Sequence, residues 1–154
     1  MVADRLDTLD DALARIRVTQ LGVKWREGLL RGAPREIGLS DLRVLRAVER
    51  RLGAGRESSI RGVADELGVE HSTASRAVAA VERRGLLRRS SSPADRRRSR
   101  LELTDDGRVA LDLVTRRRRM MVSQTVSEWP EDEVEQFVRL LDRFADHFHS
   151  LYGR

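Results

Sequence analysis

The chain has 154 residues, of which 36% are charged and 40% hydrophobic, with a formal net charge of +5. That length suits one domain with a proper core rather than two, and the balance is that of a soluble, folded protein. The absence of cysteine excludes disulfides, thiolate metal sites, cysteine nucleophiles and thiol redox sensing. No apolar run nears the roughly 18 residues that span a bilayer. The acidic start, Met1 to Asp11, lacks the apolar stretch of a signal peptide, so the expected location is cytoplasmic with no membrane partner.

Leu6, Leu9, Leu13 and Ile16 recur at helical spacing, and Leu21, Trp25 and Leu29 extend the stripe. This predicts one long amphipathic helix from Asp4 to Leu30, broken by Gly32, Pro34 and Gly38. Ser40 is the expected N-cap of a second helix over Asp41–Arg51, with Leu42, Leu45 and Val48 inward. Ser59 caps a third, Ile60–Leu67, which Gly68 ends in a left-handed turn. A fourth runs from His71 to Arg84 and stops at Gly85.

Leu86 to Arg89 and Arg100 to Leu103 read as the two strands of a hairpin, with the turn over Ser90–Asp95. Thr104 caps a fifth helix reaching Ser127, with Asp105 and Asp106 complementing its dipole. Pro130 suits the first position of a sixth. Along that helix Val134, Phe137, Val138, Leu141, Phe144, Phe148 and Leu151 form a continuous apolar stripe.

Charge is unevenly placed. Residues 56–119 carry 16 basic and 10 acidic side chains, whereas residues 120–154 carry 3 and 7. Within His71–Arg100, nine arginines face only Glu82 and Asp95. A basic middle on a less basic scaffold points to a nucleic-acid surface, although a solvated charged face has the same composition. Two short helices around a glycine turn, then a basic hairpin, follow the winged helix-turn-helix plan. Ala74, Val78 and Val81 share one face of the fourth helix. Ser72, Arg76, Ala79 and Arg83 lie opposite, flanked by Thr73 and Ser75. That outward face, small, hydroxylated or cationic, suits entry into the major groove, with Arg76 placed for a bidentate contact to guanine. Asp95-Arg96-Arg97-Arg98 beside the hairpin turn suit a narrow, electronegative minor groove, where Asp95 would orient a guanidinium.

The run SIRGVADELGVEHSTASRAVAAVERRGLLRRSSSPADRRRSRLELTDDGR, Ser59 to Arg108, resembles the MarR family of bacterial regulators. Leu67-Gly68-Val69, Ser72-Thr73, Ser75-Arg76, Gly85-Leu86, Arg89, Pro93, Asp95-Arg96-Arg97, Leu103-Thr104 and Gly107-Arg108 all stand in register with its pattern. Two positions depart: Glu70 stands at the recognition-helix cap in place of Ser, Asp or Thr, and Ala74 replaces a valine.

The resemblance implies a mainly α fold with a small β-hairpin wing. Residues 1–31 and 110–154 would be dimerisation helices and residues 40–109 the winged helix-turn-helix lobe, within a single domain, 1–154. It implies a homodimeric, sequence-specific repressor on a pseudo-palindromic operator in double-stranded DNA. Ser72, Thr73, Ser75 and Arg76 would read the major groove, and Arg97, oriented by Asp95, the minor groove. Arg96 and Arg98 would hold phosphates, as would the amide end of the third helix at Ser59. Arg83 completes the expected DNA face. Regulators of this kind often take a small aromatic or anionic effector, with Trp25 a candidate pocket wall or an ordinary core tryptophan. No cofactor or metal is expected: His147 and His149, two apart, face different directions.

Two other readings compete. An enzyme is disfavoured because no Ser-His-Asp spacing, glycine-rich phosphate loop or HExxH occurs. An architectural protein coating DNA without sequence choice would owe its affinity to phosphates alone.

Overall fold

The computed structural model describes residues 2–33, 37–91 and 99–153. In chain order they form α1 (Val2–Leu21), α2 (Val23–Leu30), α3 (Leu39–Gly53), α4 (Ile60–Leu67), α5 (His71–Arg83), β1 (Leu87–Ser91), β2 (Ser99–Leu103), α6 (Asp105–Thr125) and α7 (Glu131–Tyr152). The chain divides into two compact units, Met1–Arg117 and Arg118–Arg154, with α6 running from the first into the second.

Several boundaries differ from the sequence reading, each for a local reason. The single helix expected over Asp4–Leu30 is two. The backbone turns extended at Gly22 (φ −70, ψ 154), whose N–H donates to the Thr19 carbonyl at 3.0 Å. The apolar stripe continues across the break, so periodicity alone hides it. α3 begins at Leu39 and is capped by Gly38 rather than Ser40. Asp41 Oδ2 accepts from the Gly38 N–H at 2.8 Å, so the third helical residue holds the helix start. Ser90 and Ser91, expected in the turn, belong to β1, while Leu86 precedes it. α6 ends at Thr125, short of Ser127. Pro130 is the N-cap of α7 rather than its first residue.

Other signals read as expected. Ser59 Oγ accepts from the Gly62 N–H at 3.1 Å, the bond that satisfies a first-turn donor. Gly68 follows α4 at φ +64. Gly85 follows α5 at φ +72, a conformation other residues seldom adopt, and turns the chain from helix into β1.

The core of the first unit collects the inward faces of α3 to α6 and the hairpin. Leu45, Val48, Val63, Ala74, Val78 and Val81 are fully buried, and Leu101, Leu111 and Val114 nearly so. Each such Val or Leu contributes roughly 1.5–3 kcal/mol of transfer free energy. The strands pair antiparallel, with Leu87 opposite Leu103 and Arg89 opposite Leu101, so one face carries Leu87, Leu101 and Leu103 into this core. The Leu101 N–H also donates to the Ser58 carbonyl at 2.7 Å, tying β2 to the segment before α4.

The long helices differ. On α1, Leu6 and Ile16 are 59% and 54% exposed. In the second unit, α7 buries none of its residues, and Phe148 is 53% exposed. Its aromatic side chains meet one another instead: Phe148 lies 5.8 Å from Phe144 and 5.0 Å from Tyr152 between ring centroids. Trp129 packs edge-on against Phe137 at 5.5 Å.

Candidate nucleic-acid interface

α5 forms because its inward residues recur at helical spacing and its outward residues are small or flexible. Glu70 is the N-cap, yet its side chain makes no capping bond. Only its carbonyl serves, accepting from Thr73 and Ala74 at 3.0 Å. Glu, one methylene longer, caps less well than Ser, Asn or Asp, so α5 starts without side-chain support.

Ala74, Val78 and Val81 seat α5 in the core with no exposure at all. The opposite face is open. Ser72, Thr73, Arg76 and Arg83 are exposed, Ser75 and Ala79 half-buried. Neither Arg76 nor Arg83 has an ion pair among the described residues. Two arginines and several hydroxyls thus stand on one helix face with no ion-paired acid among the described residues. Such a surface suits a polyanion whose groups lie in a groove.

Ser59 is half-buried at the start of α4, its oxygen engaged by Gly62. Arg61 stands exposed in the same first turn. Asp95, Arg96, Arg97 and Arg98 lie outside the described residues. Trp25 sits half-buried on α2.

The base of the hairpin contains charge pairs that the sequence reading missed. On its outer face Arg88 Nε donates to Glu102 Oε2 at 3.0 Å and the Ser90 hydroxyl donates to Glu102 Oε1 at 2.9 Å. Arg100 donates to Ser90 Oγ at 2.9 Å and pairs with Glu102. The Ser90 hydroxyl first, then Arg100 and Arg88, hold the Glu102 carboxyl below its ordinary value against an opposing effect of burial. On the other face Arg89 grips Glu82 of α5 in a two-point contact, Nε to Oε1 at 2.8 Å and a terminal nitrogen to Oε2 at 3.0 Å. That bond raises the Arg89 pKa further above its already high value.

Two more ties fix α5. Arg84, its C-cap, donates to the buried Asp41 of α3 at 3.3 Å. Thr104 Oγ1 donates to the Gly85 carbonyl at 2.7 Å and accepts from the Gly107 N–H at 3.1 Å, joining the turn after α5 to the start of α6. A Cβ on Gly107 would collide with the Leu86 carbonyl oxygen, which is why glycine stands three residues after that threonine.

An open cleft of about 450 Å³ in the first unit is lined by Ile37, Arg84, Leu86, Asp106, Val109 and Leu113, among others. Among the described residues no group of three or more His, Asp or Glu side chains is placed to hold a metal ion. No described helix is long and apolar enough to cross a membrane.

Helix, glycine turn, buried-backed outer helix and antiparallel wing define a winged helix-turn-helix protein. Comparison with known proteins narrows the class. Residues 37–98 match the model of the MarR family. The chain is 33% identical over 89 residues to the uncharacterised HTH-type transcriptional regulator YxaD of Bacillus subtilis (strain 168), a match covering 58% of this chain and 62% of that protein's length. Its fold is similar to that of a MarR family protein from Bacillus stearothermophilus, with a TM-score of 0.81 at 18% identity over 96% of this chain and 98% of that one. It is also similar to Streptococcus pneumoniae FabT, solved in complex with DNA, with a TM-score of 0.75 at 22% identity over 95% and 99%. The family read from the motifs is thus the family whose model matches residues 37–98, and the fold is the winged helix fold of the MarR family structures it resembles.

Proposed function

We propose that this protein is a transcription regulator that binds duplex DNA sequence-specifically as a homodimer, acting as a repressor on a pseudo-palindromic operator rather than as an enzyme. The observation that carries this reading is α5. Its Ala74, Val78 and Val81 face is locked in the core while Ser72, Thr73, Arg76 and Arg83 face outward with no acidic partner among the described residues. FabT, of similar fold, is known bound to DNA, which supports the same use here. The exposed apolar faces of α1 and α7 support a dimer, because burial in a second copy removes them from water. Arg96, Arg97 and Arg98, with Asp95, would serve the wing, and Ser59 a phosphate. A small aromatic or anionic effector would have the 450 Å³ cleft beside Arg84 available to it.

The test is selection from a random duplex pool at about 150 mM salt, where phosphate contacts alone are weakened for every sequence alike. An enriched inverted repeat, with half-sites about one helical turn apart, is the expected result. Binding without enrichment would replace this reading with that of an architectural protein.

A further inference from the structure

Glu82 stands where a carboxylate is least welcome. It lies in the last turn of α5, which ends at Arg83, and there a negative charge opposes the helix dipole. It is also the one acid of the helix that offers Arg76 and Arg83 outward, next to where phosphates would lie. Yet it is only half-exposed, and both its oxygens are taken by Arg89 of β1 at 2.8 and 3.0 Å. Two parallel charge-assisted bonds fix direction as well as distance.

The span they close, Glu82 to Arg89, contains the C-cap Arg84 and Gly85 at φ +72, where the chain passes from helix to hairpin. On the other face of the hairpin Glu102 collects Arg88 and Arg100. Three arginines at the base of the wing are therefore bound to the protein itself.

We infer that Glu82 is a positioning residue for DNA recognition: through its two-point bond to Arg89 it sets the pitch of the wing against the recognition helix. The inference rests on the DNA-binding reading proposed above. Glu82 itself touches no DNA; it fixes the angle that β1 makes with α5, the helix proposed to read the half-site. Removing it would loosen the hairpin against α5, its base still seated by Leu87, Leu101 and Leu103, without loosening α5 itself, whose own anchors are Ala74, Val78, Val81 and the Arg84–Asp41 pair.

The experiment compares wild type, Glu82→Gln, Arg89→Glu and the exchanged pair Glu82→Arg with Arg89→Glu, using amide hydrogen exchange and DNA binding. In the protein alone, Glu82→Gln should speed exchange of the β1 and β2 amides about threefold to fivefold while α5 amides keep their protection. On the enriched operator, Glu82→Gln should lose about the same factor where the flanks are A·T-rich and less than about twofold where they are G·C-rich. Discrimination within the half-site should persist, and the exchanged pair should recover both readouts. Unchanged hairpin exchange, or equal loss on all sequences, would overturn the inference. If wild type enriches no sequence while Glu82→Gln still loosens the hairpin, the DNA-binding reading fails and the mechanical role of Glu82 stands.

Discussion

The winged lobe and the long helices treat the same kind of residue in opposite ways. In the lobe, Leu45, Val78 and Leu101 reach 0–1% exposure within the chain itself. On α7, Phe137, Leu141 and Phe148 remain 42–53% exposed, and on α1, Leu6 and Ile16 more than half so. Both stretches have a helical apolar stripe, and periodicity ranks them alike. The difference is in what each stripe has to pack on. In the lobe, α3 to α6 and a hairpin meet inside one chain, so these stripes are buried without a second one. An uncovered stripe as long as that of α7 gains its transfer free energy only from another surface, and the second copy proposed above would supply it symmetrically.

The strongest way to break this comparison is to damage each region in turn. Leu45→Ala should cost about 2–5 kcal/mol, the usual range for a filled core site, and show as a large fall in the urea midpoint. Phe148→Glu should leave the lobe's own unfolding nearly unchanged while halving the mass in light scattering at micromolar concentration. If Phe148→Glu unfolds the lobe as Leu45→Ala does, the two regions are not separable in the way proposed. Gly107→Ala sharpens the same contrast. The added Cβ must displace the Leu86 carbonyl, for an expected loss of about 1–3 kcal/mol, read by thermal melting.

Smaller effects concern the interface. Arg76→Ala should cost about 1–3 kcal/mol of DNA affinity and relax discrimination at one base position, checked by anisotropy on operator variants. Equal weakening on every duplex would reduce Arg76 to a phosphate contact.

The smallest effect is acidic. Glu102 is held below its ordinary value of 4.5 by Ser90, Arg100 and Arg88, so it stabilises the hairpin above that pH and loses the contribution as pH falls through its lower folded value. The melting difference between wild type and Glu102→Gln should be constant near neutrality and shrink below about pH 4.5. A difference independent of pH would show that the hydrogen bonds, rather than the charge, carry the network.

Much of the lobe was legible because its signals are local. Ser59 and Thr104 announce caps by residue type, Gly68 announces a left-handed turn and Gly85 a helix end, and the spacing of Ala74, Val78 and Val81 announces a buried face. The break at Gly22 was hidden, since a glycine within a continuing apolar stripe does not say whether the helix bends. The cap of α3 was misassigned to Ser40 because Asp41, bonding back to Gly38, offers an equally ordinary signal one residue on.

The Glu82–Arg89 and Glu102 networks depend on strand register, which the hairpin pattern alone left open. With Leu87 opposite Leu103 known, Arg88 facing Glu102 and Ser90 facing Arg100 follow at once. The direct DNA contacts expected of Asp95 and Arg96 to Arg98 lie outside the described residues and rest on residue type and resemblance.

On the reading proposed here, the winged lobe reads a half-site and the long helices join two such lobes. Sedimentation of wild type with its enriched inverted repeat tests this most directly. Two chains should bind each duplex together, with most of the affinity lost when either half-site is scrambled. Chains that load singly and independently onto each half-site would contradict it.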